Sequence, residues 1–410
     1  MRNIAGSPVE GDNFFGREAE TKRLCESLAD HDVLLLGPRR IGKTSIARKV
    51  MIDLQQQNWQ VLEINVASCQ NEVDFLDKLK SALSPLMNST TRKITTAIGD
   101  TLASLSKRIK KVSLSIPGAG SLGVDLAGSE QDDWMKIANS LLHLIGQTRE
   151  TWLIYIDELP IFLFNIIKQD PIHGVVRVRR FLDWFRNDVR ALPENRHIHW
   201  LITGSVGLDT LVQEHGMADT INSLKHENLA AFSPGVAVEM LLELAKNYEI
   251  AFSPEAARCL VDAVQWPQPY YLQKAFNELR ACLNANMQVA MEELIEQVID
   301  SLIEPSQDND FHHWEARLSI QLKSTDALYA QEMLTAASQS REGATVQVLQ
   351  TVLLAHMDNA TQHEVKQTFI RLRDILLRDA YWWLDERGGE RRYRFHLEPL
   401  RRWWKRKNTL

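Results

Sequence analysis

An apolar run, Val33-Leu-Leu-Leu36, leads directly into Gly37-Pro-Arg-Arg-Ile-Gly-Lys-Thr-Ser45, and a helix-forming segment follows to about Gln57. The loop has the spacing G-x-x-x-x-G-K-[ST] at every fixed position, in the strand–loop–helix context that this motif requires. No other feature constrains the fold as much. Glycines let the backbone wrap an anion with its N–H groups turned inward, and a helix start adds partial positive charge. Gly37, Pro38, Arg39, Arg40, Ile41, Gly42, Lys43, Thr44 and Ser45 therefore read as the cradle of a nucleoside triphosphate, ATP or its product ADP. Lys43 is expected on the β- and γ-phosphates and the Thr44 hydroxyl on Mg²⁺. Arg39 and Arg40 have two readings: contacts to phosphate or a neighbouring subunit, or solvated loop side chains.

A second apolar run, Trp152-Leu-Ile-Tyr-Ile156, ends on Asp157 and Glu158. In a parallel sheet it carries both acids to the edge where the loop lies. Asp157 would hold Mg²⁺, and Glu158 would orient or deprotonate an attacking water. The catalytic expectation is thus Glu158, Asp157 and Lys43, with Thr44 and Asp157 on the metal. The competing reading is an acid pair capping the next helix. A further strand, His199–Thr203, ends in Thr203-Gly-Ser205, so Thr203 and Ser205 are candidates for the γ-phosphate or the water.

Strand runs at 33–36, 61–66, 152–156 and 199–203 alternate with helical patterns, which predicts an α/β core with helices on both faces of a parallel sheet. Strict alternation on both sides of a Gly-rich turn predicts a β-hairpin inserted at about 111–127, after a helix over 95–111. After Leu224 the pattern turns helical. Ser233-Pro234 is a helix start, and helices are expected over 234–248, 254–265, 269–284 and 291–303. From about Phe311 come several helices, then Tyr381-Trp-Trp-Leu384, a Gly-Gly turn, Arg391–His396 and a last helix, Glu398–Lys407. The expected layout is a P-loop core over 1–232, a helical lid over 233–305 and a winged-helix-like domain over 306–410.

The chain has 410 residues and a net charge of -6, so any nucleic-acid surface would be local. Its four cysteines form no CxxC pair, and a reduced, cytoplasmic setting is expected. No apolar run has signal-peptide or membrane-span length, so no membrane partner is expected.

With these motifs in place, the chain resembles the AAA+/STAND class of P-loop ATPases, in particular the prokaryotic archaeal-type ATPases related to origin-recognition ATPases. Phe14-Phe-Gly16-Arg17-Glu18 resembles the family's opening box, Ile156-Asp-Glu-Leu159 its Walker B segment and Leu229-Ala-Ala-Phe-Ser-Pro234 its entry to the lid. Pro269-Tyr-Tyr-Leu272 resembles the lid helix whose proline packs near the base. The resemblance implies that Gly16, Arg17 and Pro269 line the nucleotide, and that the chain is an ATP hydrolase acting as a switch. It also implies a homo-oligomer or a protein partner carrying effector activity. The chain departs from the family at Pro267-Gln-Pro269, where a glycine is missing, and it has no clear sensor arginine; Lys274 and Arg280 are the nearest residues. Arg177, Arg179, Arg180, Arg186 and Arg190 are candidates for an arginine acting in trans.

Arg391-Arg-Tyr-Arg-Phe-His396 and Arg401-Arg-Trp-Trp-Lys-Arg-Lys407 concentrate positive charge near the end of the sequence. Such charge can neutralise phosphates, and Trp403 and Trp404 can stack on bases. The alternative is that the tryptophans dock the last helix on its own domain. Two further functions stay open: a DNA- or RNA-binding module in which nucleotide is structural, and a protein scaffold.

Overall fold

The computed structural model describes residues 1–84, 133–148, 150–205, 207–284, 291–387 and 389–408. The expected helix over 95–111 and hairpin over 111–127 lie outside these residues. The chain divides into two compact units. One contains Arg17–Gly37 and Lys43–Leu229; the other contains Met1–Gly16, Pro38–Gly42 and Ala230–Leu410.

The first unit is built on a five-stranded sheet: β1 (Val33–Gly37), β2 (Gln60–Asn65), β3 (Trp152–Asp157), β4 (Ile198–Ser205) and β5 (Lys225–Asn228). The order is β2-β3-β4-β1-β5, and every pairing is parallel. β1 and β3 are buried throughout, as near-continuous apolar runs in a sheet covered on both faces should be. β5 was not expected from the sequence. Its residues, Lys-His-Glu-Asn, are polar and largely exposed, so an edge strand here carries no apolar alternation.

Among the described residues, seven α-helices belong to this unit: α1 (Glu18–Asp30), α2 (Lys43–Gln56), α3 (Glu72–Leu83), α4 (Asp133–Gly146), α5 (Leu159–Gln169), α6 (Gly174–Trp184) and α7 (Leu208–Glu214). Asn71 starts α3 by accepting from the N–H groups of Val73 and Asp74. Rings from α3, α4, α5 and α6 meet in one cluster. Phe181 lies edge-on to Phe75 and Phe162, each at 5.2 Å, and Trp184 lies edge-on to Trp134 at 5.0 Å.

In the second unit, α8 (Pro234–Asn247), α9 (Pro254–Val264), α10 (Pro269–Asn284) and α11 (Met291–Ser301) precede α12 (Asn309–Gln321) and α13 (Ser324–Ser338). Then follow β6 (Ala344–Thr345), α14 (Val346–His356), α15 (Gln362–Arg378), β7 (Trp382–Asp385), β8 (Arg392–Phe395) and α16 (Glu398–Lys407). Ser233 and Ser253 cap α8 and α9 through their hydroxyls, each with proline in the first turn. Thr361 and Glu364 form a reciprocal capping box on α15. The three short strands form an antiparallel sheet, β6-β8-β7. Gly343 fits beside it only as glycine: a Cβ there would lie 2.1 Å from the Tyr393 carbonyl oxygen.

The sequence places a boundary near residue 305, but one continuous apolar core runs from Phe232 to Trp404 and joins the helices on both sides of it. Among the described residues no helix is long and apolar enough to cross a membrane.

Candidate nucleotide site

In the first unit, β1 ends on Gly37, whose neighbour across the sheet is Ser205 at the end of β4; nothing is described of the Ser205 side chain. Lys43 opens α2 and is buried, with its ammonium donating to the Gly37 carbonyl at 2.8 Å. Thr44, one residue into α2, donates its hydroxyl towards Asp157 Oδ2 at 3.4 Å. The chain thus brings together, across 113 residues, the Thr44 hydroxyl and the Asp157 carboxylate, the two groups expected on the metal.

Asp157 is buried and is the hub of the site. Its Oδ1 accepts from the Thr203 hydroxyl at 2.6 Å, a short charge-assisted bond. Its Oδ2 accepts from Asn65 Nδ2 at 3.2 Å as well as from Thr44. Thr203 is fully buried, and its oxygen also lies 3.3 Å from the Tyr155 hydroxyl. Burial, then the neighbouring Asp157 carboxylate, pushes the Tyr155 pKa well above the ordinary phenol value, so Tyr155 stays neutral. Asn65 and Tyr155 were not among the expected site residues. Asn65 ends β2 as Asp157 ends β3, and the two are register partners; only the strand order reveals that pairing.

Glu158 follows Asp157 in a left-handed conformation, φ 61°, at the start of α5. Its backbone N–H lies 3.4 Å from the Thr203 oxygen. A left-handed non-glycine residue is uncommon, and such outliers concentrate at functional sites. The side chain is half-buried and does not cap α5 with a hydrogen bond. The structure thus gives the simple helix-cap reading of this acid no support. Arg17 is buried just before α1, with its guanidinium on Glu20 at 2.7 Å.

Pro38–Gly42, the middle of the loop, group with the second unit. Pro38 and Ile41 are buried and Arg39 is exposed. Arg40 is left-handed at φ 70° and Gly42 lies at φ 104°. The Arg40 guanidinium donates to Asp310 Oδ1 at 3.1 Å and to the Gly6 carbonyl at 3.0 Å, and lies 4.5 Å above the Tyr270 ring. The Tyr270 hydroxyl donates to the other Asp310 oxygen, which Lys274 approaches to 3.4 Å. Burial works to raise the Asp310 pKa, yet the Tyr270 hydroxyl, Lys274 and Arg40 together hold it below the usual carboxylate value. Lys274, a sensor candidate, is thus occupied by Asp310 and by the Gln307 carbonyl at 3.0 Å. Arg280, the other, lies over the Tyr248 ring at 4.4 Å. Gly16, at φ 65°, packs so closely that a Cβ would lie 2.4 Å from Val236 Cγ1. Pro269 is the half-buried first residue of α10.

The arginines considered for a role in trans have intramolecular partners. Arg177 braces Glu72 and Asp170, Arg179 binds Asp183 and Asp219, Arg186 reaches Asp219, and Arg190 binds Asp32 at 2.6 Å. Arg180 is exposed on α6. The basic tail is likewise paired. Arg394 meets Asp385, Arg401 meets Glu398, Arg402 meets Glu398, Asp300 and Glu296, and Arg406 meets Glu304. Trp403 and Trp404 are buried, with their indole N–H groups on Asp308 and Thr335. Of the two readings the sequence left open for these rings, the structure shows the second: they dock α16 on its own unit.

Neither a protein-family model nor a curated protein sequence matches the chain. Among solved structures, it is similar to the Walker-type ATPase of Pyrococcus abyssi. The TM-score is 0.61 at 15% identity, over 99% of this chain and 100% of that one. The ORC2 protein of Aeropyrum pernix, in ADPNP–ADP complexes, aligns over 98% of each chain at TM-score 0.44 and 12% identity. Cdc6p of Pyrobaculum aerophilum aligns over 96% of this chain and 93% of that one, at TM-score 0.45 and 13% identity. At those scores the last two add nothing to the first, and at 15% identity the first likeness is one of fold. The chain shares the fold of that Walker-type ATPase, with its α/β core on a five-stranded parallel sheet.

Proposed function

We propose that this protein binds ATP through Gly37–Ser45, hydrolyses it with Mg²⁺, and uses the cycle as a switch acting on a second copy or a protein partner. The observation that carries the reading is the 3.4 Å approach of the Thr44 hydroxyl to Asp157. A hydroxyl from the helix after the loop and a carboxylate from the end of β3 are the two donors that a magnesium–phosphate group needs. Both offer hard oxygen, as Mg²⁺ prefers. Bound there, the metal would neutralise charge on the β- and γ-phosphates.

The remaining steps belong to the chain's own side chains. Lys43 exchanges the Gly37 carbonyl for phosphate oxygens. Thr203 and Asn65, donating to opposite oxygens of Asp157, fix the carboxylate's direction before any ligand arrives. Glu158, with its backbone turned out of the strand path, takes the proton of the attacking water. Thr44 and Asp157 serve as metal donors, and Gly16, Arg17, Thr203, Ser205 and Pro269 as further nucleotide contacts.

The test is Mg²⁺-dependent ATP turnover by the full chain. Lys43→Ala should lose nucleotide binding. Glu158→Gln should keep binding and lose turnover by about a hundredfold or more; hydrolysis at the wild-type rate would remove its role in water activation. No observation favours a separate nucleic-acid reading. The last segment, 306–410, holds 16 Lys and Arg against 14 Asp and Glu, so its cations have acids close to their own number.

A further inference from the structure

Arg40 combines two features. Its backbone is left-handed, a conformation natural to glycine and costly for any L side chain. Its side chain, by contrast, is tightly held. The guanidinium spans Asp310 and the Gly6 carbonyl and lies on the Tyr270 ring, while the Tyr270 hydroxyl and Lys274 fix the Asp310 carboxylate in turn. Strained backbone of this kind persists where the surroundings over-determine it. The strain also has a use: a residue of positive φ inside such a loop turns successive N–H groups towards one side, which makes a concavity for an anion.

We propose that Asp310 is a positioning residue for the phosphate loop: through Arg40 it holds the loop in its anion-binding shape, so nucleotide affinity is set in part by the first turn of α12. This rests on the nucleotide reading above. Arg40 then acts as an anchor, and the loop's backbone N–H groups, rather than the Arg40 guanidinium, face the phosphates. The coupling is reciprocal, since whatever displaces Asp310 loosens nucleotide, and nucleotide in turn tightens the hold on Asp310. A partner or second copy that shifts α12 would release nucleotide without touching the loop.

The proposal makes an unusual demand: glycine should replace arginine better than alanine does. Glycine takes φ 70° without a clamp, whereas alanine keeps the strain and loses the clamp. Binding of a mant-labelled ATP with Mg²⁺ to the full chain reads this out, with thermal melting confirming that each variant folds. Arg40→Ala and Asp310→Asn are each expected to weaken binding about tenfold, the cost of holding an unclamped L residue left-handed. Arg40→Gly should stay within about threefold of wild type, and Asp310→Asn added to Arg40→Gly should change nothing further. Tyr270→Phe, which removes one bond to Asp310 and leaves the packing intact, should weaken binding by about two- to fivefold.

If Arg40→Gly binds as poorly as Arg40→Ala, the guanidinium itself contacts phosphate and the anchoring role is wrong. The anchoring role fails equally if Asp310→Asn and Tyr270→Phe both bind like wild type. If the wild-type chain does not bind the probe at all, the nucleotide reading fails first and takes this proposal with it.

Discussion

Thr203→Val is the most direct probe of how the acid at the end of β3 is held. Valine matches threonine in shape, so the change deletes one hydroxyl and little else. That hydroxyl makes three contacts of unequal worth. The bond to Asp157 is 2.6 Å long and charge-assisted, while those to Tyr155 and the Glu158 N–H, at 3.3 and 3.4 Å, are near the outer limit. Thr203 is fully buried, so no water replaces what is lost. A buried hydrogen bond to a charged group contributes about 1.5–3 kcal/mol. We therefore expect Thr203→Val to lower the stability of the sheet unit by about 2 kcal/mol, roughly a thirtyfold shift in its folding equilibrium. The chain contains two units, so the assay must report on the right one. Urea unfolding followed by hydrogen exchange of peptides spanning 152–157 and 198–205 does so. A cycle with Asp157→Asn isolates the pair: most of the loss should vanish once the carboxylate is gone, with a coupling of about 1.5 kcal/mol. Wild-type stability in Thr203→Val, or strict additivity with Asp157→Asn, would falsify the view that this hydroxyl fixes the acid.

Two other predictions concern the second unit. Gly16→Ala forces a Cβ to within 2.4 Å of Val236 Cγ1 at a backbone φ of 65°; we expect a loss of about 2–3 kcal/mol and a lower melting temperature, and an unchanged one would contradict the packing described. His396 stacks on Trp266 at 4.6 Å, and burial lowers its pKa to about 4. The unfolded chain thus binds the extra proton first. Stability from this residue is complete above about pH 6.5 and is lost as pH falls towards 4, by at most about 3 kcal/mol. In His396→Phe the unfolding free energy should fall less steeply over that window, and an identical slope would refute the assignment.

What the sequence reveals here follows the distance over which each determinant acts. The loop 37–45 and the acids 157 and 158 are legible because each motif lies within a few residues, and the strand or helix that presents it is written beside it. Most strand ends and helix ends in the described segments fall within one or two residues of expectation for the same reason: Ser233 is a cap in sequence and in structure. β5 escapes because an exposed edge strand needs no apolar face, and β6 because two residues carry no period. The tail misleads in the opposite way. Its cations are adjacent in sequence, whereas Glu296, Asp300 and Glu304, which pair with Arg402 and Arg406, lie about a hundred residues earlier.

The same distinction separates what the loop does from how strongly it does it. Lys43 and Thr44 are fixed by a spacing rule, so the roles proposed for them rest on local sequence. Arg40 sits at a variable position of that rule, and the sequence leaves it between a phosphate contact and a solvated side chain. Its partner is 270 residues away. The loop of this chain turns left-handed at that point, and glycine would do so with no outside help. Arginine satisfies it only with Asp310, Tyr270 and the Gly6 carbonyl in place. Where glycine would make the loop's shape a local property, arginine makes it conditional on side chains far away in sequence, Tyr270 and Asp310.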